Sequence, residues 1–361
     1  MTQPTPSIVD ETPATGKLHD PFRAKLAKAS WLVPLLGLGA TIAINGVART
    51  SGTVGLGAAG FVIFAGSIVV GFLLAIWSLC YAGKYQRVLG HSLGGLVTTV
   101  ALTLLVAAGF YAISVVRTAA ETAASLDHLR ELAIGMHRHH DTRGAFPSHA
   151  SYARDERSTA RPAERNGKPL LSWRVHLLPF IDQAALWKRF THDEPWDSPH
   201  NRQLISSMPS VYTSPGRDLG EGQTCYLVPM SNDQRFATAF PSGLTPGNIG
   251  GTEAGVPKLT SGCTMGSITD GTSNTIMIVE VPPEKAVIWT KPDDWEVDPS
   301  DPKKGLFGAR TGFLLAATAD AEVHRIPDTV SAETLKRALG RSDGASFNRQ
   351  EIFGPLKSKK R

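Results

Sequence analysis

The chain has 361 residues, of which 42% are hydrophobic and 19% charged, with three cysteines and a formal net charge of +5. Those proportions exclude a disordered or collagen-like chain and a disulfide scaffold. The basic excess gathers near the two ends, at Lys17, Arg23, Lys25 and Lys28 and again at Lys357, Lys359, Lys360 and Arg361. No zinc-finger, helix-turn-helix or RNA-binding signature accompanies it, so no nucleic-acid partner is expected.

Residues 1–30 open with a Thr/Pro-rich stretch that lacks apolar periodicity, and a disordered cytoplasmic segment is expected there. Three apolar runs follow, at 31–48, 54–82 and 94–116, none with an Asp, Glu, Lys or Arg inside it. Each is near or above the roughly 18–20 residues that span a bilayer's hydrocarbon core. A three-helix transmembrane region over 31–116 is therefore expected, with the lipid bilayer as a partner. Lysines and arginines precede the first run, and Lys84 and Arg87 lie between the second and third. That bias puts the N-terminus inside and the C-terminal part outside the cytoplasmic (inner) membrane. The first run, with Pro34 and Asn45, also reads as a signal peptide ending at Ala48. In the second, Ser67, Gly71 and Ala75 form a small-residue stripe suited to close helix packing.

The third run does not stop at the membrane. Apolar positions continue at Ala119, Ala123, Leu126, Leu129, Ala133 and Met136, a spacing that predicts one greasy helix face. The helix is expected to reach about Asp141, where Gly144 and Pro147 end it. A head over 117–345 follows. Ser172 is placed to cap a helix from Trp173 that Pro179 splits, and Ser198-Pro199 to start another over 200–207. A β-rich run at 275–281, two strands over 312–326 around Ala319-Asp320-Ala321, and a helix capped by Ser331 and closed by Gly340 complete it. Residues 346–361 read as a basic flexible tail. The predicted class is α+β, with three transmembrane helices and the third continuing into a long helix packed on a mixed β-sheet head.

Several strings carry a family resemblance: LRELAIGMHRHHDTRGAFP at 129–147, GKPLLSWRVHLLPFIDQ at 167–183, DEPWDSPHNRQLI at 193–205, ITDGTSNTIMIVE at 268–280 and VIWTKPDDW at 287–295. Together they resemble the head of a large planctomycete family, domain of unknown function 1559, usually described as prepilin-like. The resemblance implies a pilin-like head on a long helix, exported across the membrane, with no established activity; an older label suggests solute binding. Family members begin with one prepilin leader of the type Gly-Phe-Thr-Leu-Ile-Glu. Here Gly109-Phe110 is followed by Tyr-Ala-Ile-Ser-Val, without the Glu, so the three-span anchor replaces that signal. The family's usual Cys before Pro is Ser214, and its Asp-Gly turn near the end is Asp320-Ala321.

Candidate chemistry is sparse. His137, His140 and Asp141 lie three and four apart and can share a helix face, a spacing compatible with a transition metal given further ligands; the alternative is packing of His140 on the head. Trp196, Asp197, His200 and Asn201 suit a saccharide or peptide, with Trp stacking and the polar groups orienting it; the alternative is a structural loop with a capped helix. Asp270, Asn274 and Glu280 offer oxygen ligands but not an EF-hand spacing. Cys225 and Cys263 are able to pair in an oxidising compartment. No Gly-x-Ser-x-Gly, phosphate loop, His-Glu-x-x-His or Cys-x-x-Cys is present, and no cofactor is expected. The expectation is a non-enzymatic, membrane-anchored extracytoplasmic module for envelope structure or protein interaction. The alternatives are a saccharide- or peptide-binding or sensing head, favoured if Trp173, Trp196 and Trp289 share a cleft, and a metal-dependent hydrolase.

Overall fold

The computed structural model describes residues 86–152, 169–231, 236–241 and 262–353, with scattered positions before 86. The chain divides into two compact units, Met1–Val116 and Arg117–Arg361. Most of the first two expected spans and the N-terminal segment lie outside the described residues, although positions 66, 68–73 and 76 are helical. Helix α1, Gln86–Arg143, is 58 residues long and begins eight residues before the third apolar run, absorbing most of the expected loop. It is long and apolar enough to cross a membrane. In the first unit Val97, Leu104, Leu105, Phe110, Tyr111, Ile113 and Val116 are all exposed. Aqueous exposure of so many large apolar side chains on one helix is unfavourable, and lipid removes that cost.

In the second unit α1 is core. Leu129, Leu132, Ala133 and Met136 are fully buried, each such burial stabilising by roughly 1–3 kcal/mol. The face differs from the sequence reading at its start. Ala119 and Ala123 are exposed, while Thr122 and Ser125 point inward. They do so because a buried ion pair needs their hydroxyls. Arg310 donates from Nε to Glu280 Oε2 (2.7 Å) and from one terminal nitrogen to Oε1 (3.0 Å). It also donates to Thr122 Oγ1 (3.0 Å) and Ser125 Oγ (2.7 Å), and Ser125 donates on to Glu280 (3.1 Å). Both carboxylate oxygens are thus satisfied, as burial of a charge demands. Gly135 lets the next element come close, since a Cβ there would sit 2.8 Å from Ile181.

After α1 the chain forms β1 (Ala150–Tyr152), β2 (Pro169–Ser172), α2 (Trp173–Leu177) and α3 (Ala184–Trp187). The Ser172 hydroxyl accepts from the N–H of Arg174, the expected cap, and Pro179 lies in a 3-10 turn that ends α2. Short strands β3 (Gln223–Thr224), β4 (Tyr226–Leu227), β5 (Pro229–Ser231) and β6 (Phe240–Pro241) lead to β7 (Ile276–Glu280). Then come β8 (Val287–Ile288), β9 (Trp295–Glu296), β10 (Phe313–Thr318), β11 (Val323–Pro327), α4 (Ala332–Leu339) and α5 (Arg349–Phe353). The main sheet is antiparallel, in the order β11-β10-β7-β4.

The two-residue period of its strands creates two cores. Tyr226, Leu315 and Ala317 join α1's Leu129 and Met136, while Leu227, Leu314, Ala316 and Ile326 join α4's Leu335 and Leu339. The head is therefore helix, sheet, helix in layers, a mixed α+β fold. Ser331 caps α4 as expected, but Gly340 after it has φ −72°, so the stop does not use glycine's left-handed freedom. The packed head runs past residue 345. In α5, Ile352 and Phe353 are buried in the second core, which corrects the reading of 346–353 as flexible tail.

Candidate functional site

A cleft of about 700 Å³ lies between the segments 284–287 and 293–304. Its floor is apolar, from Leu227, Val287, Trp295 and Val297. Its wall carries Glu284, Asp293, Asp294, Glu296 and Asp298 against Lys285 and Lys304. The Ser300 hydroxyl and then its N–H hold the Asp298 carboxyl below the usual carboxylate range. Lys304 is 4.0 Å from Asp298, an exposed pair of small energetic weight. Among the described residues the lining holds no histidine, cysteine or hydroxyl side chain. It suits a cationic or hydrogen-bond-donating surface, with carboxylates outside and apolar contact beneath.

The adjacent acids Asp293 and Asp294 have opposite tasks. Asp293 is half-exposed and pairs with Lys291 at 2.8 Å. Asp294 turns inward and its side chain is fully buried with that of Arg174, 2.6 Å away. Its Oδ1 also accepts from Trp173 Nε1 (3.2 Å) and the Val228 N–H (3.1 Å). Arg174 donates further to the Tyr226 carbonyl (3.1 and 2.8 Å) and Ser172 Oγ (2.8 Å). Burial pushes the Asp294 carboxyl up to about 6, although Arg174 beside it works the other way. Oδ2 is buried with no hydrogen-bond partner. This pair fixes the back of the cleft by tying α2 to β4, β5 and the entry to β9. Sequence reasoning passed over it. The available signal was a charge next to a tryptophan inside otherwise apolar strings, Trp173-Arg174 and Asp294-Trp295.

The residues expected to bind are not brought together here. His137 Nε2 donates to the Ala319 carbonyl (2.8 Å), and His140 Nε2 accepts from the Met265 N–H (3.1 Å). Asp141 is exposed, 4.0 Å from His140. The metal set is thus replaced by two helix-to-head clasps, and no cluster of three or more His, Cys, Asp or Glu with metal-site geometry occurs among the described residues. Asn201 is buried. Its Oδ1 accepts from the Thr191 N–H (3.0 Å), and its Nδ2 donates to the carbonyls of Thr191, Glu194 and Pro195. The Ser198 hydroxyl accepts from the Asn201 N–H (3.1 Å) at the entry to the 3-10 helix Asn201–Ser207, whose cap position is His200, and His200 Nε2 donates to the Arg189 carbonyl (2.7 Å). Asp197 is exposed and Trp196 half-buried, while Trp173 and Trp289 are fully buried, so the three tryptophans share no open cleft. Asp270 accepts from the N–H groups of Asp343 and Gly344, Asn274 donates to the Asp270 carbonyl, and Glu280 belongs to Arg310. Cys225 and Cys263 are separate buried thiols. They belong to cores on opposite sides of the sheet, so of the two readings, paired or unpaired, the structure shows the unpaired one.

Two further histidines, unremarked in the sequence, are buried near the α1–α2 contact. Burial lowers His139 to about 4, against the pull of its bond to the Ala145 carbonyl. Burial, with His192 nearby, lowers His176 to about 3.

The cleft and both ion pairs draw on a stretch of sequence with recognisable relatives. The model of a family described as a protein of unknown function (DUF1559) matches residues 115–303, just over half of the chain. The chain belongs to this family. No curated protein and no solved structure matches it. The matched DUF1559 region holds Arg174, Glu280 and Asp294 but ends before Arg310, so one member of the α1–sheet clasp lies beyond it.

Proposed function

We propose that the chain is a multi-pass protein of the cytoplasmic membrane. On this reading its N-terminus is cytoplasmic, and its extracytoplasmic, pilin-like DUF1559 head is a non-enzymatic interaction module of the cell envelope. The observation that carries the reading is the change of character along α1: large apolar side chains are exposed from Val97 to Val116 and buried from Leu129 to Met136. Support for a non-enzymatic role comes from how the polar interior is used. His137, His140, Asn201, Arg174 and Arg310 are all committed to backbone or buried carboxylates. The acidic cleft supplies a contact surface of carboxylates over an apolar floor.

Reporter fusions after Arg49, Leu93 and Arg361 should read outside, inside and outside. Photo-crosslinking from position 296 in intact cells should capture an envelope protein through the cleft. A cytoplasmic signal from the Arg361 fusion would overturn the topology, and failure to form any protein adduct from 296 would overturn the interaction role.

A further inference from the structure

A second, smaller pocket of about 460 Å³ lies between residues 188–191 and 200–204, with its floor in the first core where the floor of the cleft belongs to the second. Phe190 and Leu204 give it an apolar floor, and both are buried. Lys188, Arg189 and His200 supply its charge and hydrogen-bonding capacity, and no acidic residue is in the lining. Lys188 and Arg189 are exposed and make no ion pair with any described residue. Asp193, Glu194 and Asp197 belong to the same loop but not to the lining.

The frame is rigid. Asn201 fastens the 191–195 segment through four hydrogen bonds, and His200 clasps the Arg189 carbonyl at 2.7 Å. That clasp uses Nε2 and leaves Nδ1 unengaged. A pocket of this size matches a small molecule. Two cations without a counterion over an apolar floor select a compact ligand with an anionic end and one apolar face.

We propose that this pocket binds the oxyanion group of a small ligand, with Arg189 and Lys188 holding the charge and Phe190 and Leu204 contacting the body behind it. The proposal is independent of the membrane-anchored reading above, since it needs neither an orientation nor a protein partner.

The test uses the full-length chain in nanodiscs of neutral lipid, titrated with inorganic sulfate and with glucuronate, and with glucose as the uncharged match. Binding is followed by calorimetry at low and at moderate salt. At least one of the two anions should bind, ten-fold or more tighter than glucose and more weakly as salt rises. The identity of the anion that binds fixes the oxyanion. The double variant Lys188→Gln, Arg189→Gln should lose ten-fold or more in affinity with unchanged tryptophan fluorescence, while Lys336→Gln on α4, which packs on the other core, should bind as wild type. Equal affinity for glucuronate and glucose, no binding of either anion, or full affinity in the double variant would each overturn the proposal.

Discussion

Two buried arginine–carboxylate pairs hold this head, and they are built differently. In Arg310–Glu280 both acid oxygens are engaged, and α1 contributes Thr122 and Ser125 to the same network. In Arg174–Asp294 one oxygen takes every bond and the other is buried with none. The first clasps helix to sheet and leaves little unsatisfied. The second fixes a loop behind a cleft and carries a desolvation cost, seen in the raised Asp294 carboxyl. Burial of a charge pair therefore says little about its worth; what counts is how many lone pairs and protons find partners.

The largest expected effect tests the better-satisfied pair. Arg310→Ala strands a buried Glu280 and should destabilise the head by about 3–5 kcal/mol, measured by denaturant unfolding of the full-length chain through tryptophan fluorescence. Replacing both partners, Arg310→Met with Glu280→Leu, should recover most of that loss; no recovery would mean that the pair itself, rather than the stranded charge, sets the stability.

Leu129→Ala asks how much of the same α1 seam is apolar packing. Leu129 is fully buried, so a loss of about 2–5 kcal/mol is expected in the same assay. A neutral result would leave the polar network as the seam's only support.

Acid sharpens the contrast further. His139 and His176 are held below the ordinary imidazole range, so their contribution is complete above about pH 6.5 and is lost as pH falls toward about 4 and about 3. Asp294 has the opposite sign: its contribution is present below the ordinary carboxylate range and is lost as pH rises through about 6. The histidines, with His192 shifted the same way, outweigh the one carboxyl, and the head should lose stability between pH 6.5 and 4. His176→Asn should flatten this limb and Asp294→Asn should steepen it, as read from unfolding midpoints across that range.

The smallest effect concerns the β10–β11 turn. Ala321 has φ +63°, a conformation that costs a residue with a Cβ about 1–2 kcal/mol. Ala321→Gly should therefore stabilise the head by about 1 kcal/mol, visible as a rise in thermal midpoint. A fall would show that the alanine methyl contributes packing that exceeds the backbone strain.

Much of the local structure was legible. The Ser172 and Ser331 caps, the helix stop at Gly144, the strand at β7 and the β10–β11 hairpin all follow from signals within a few residues. The site was less so, because its members are far apart in sequence. Arg174 meets Asp294 across 120 residues, and Arg310 meets Ser125 across 185. A helical pattern also led astray where polar residues serve the core: Thr122 and Ser125 look like surface positions until Arg310 is placed beside them. The His137–His140–Asp141 spacing put two histidines on the face toward the head, with Asp141 outside it, but gave no account of what faces them. The opposing groups are a carbonyl and an amide N–H, not further ligands.

Those two histidines have a consequence beyond the bonds they make. His137 must present a proton to Ala319, and His140 must present a lone pair to Met265. The two rings are therefore fixed in complementary tautomers, one turn apart, next to a buried stretch of leucine, alanine and methionine from Leu129 to Met136. A greasy cylinder tolerates being turned about its own axis or slid along it, because apolar contacts are undirected. Donor and acceptor are not exchangeable in that way. A slip would leave a carbonyl facing a carbon atom and an amide facing nothing. The pair works as a key in a lock: it adds little to how tightly the helix is held, and it acts with the Thr122–Ser125–Arg310 clasp further up to set the angle at which the helix is held.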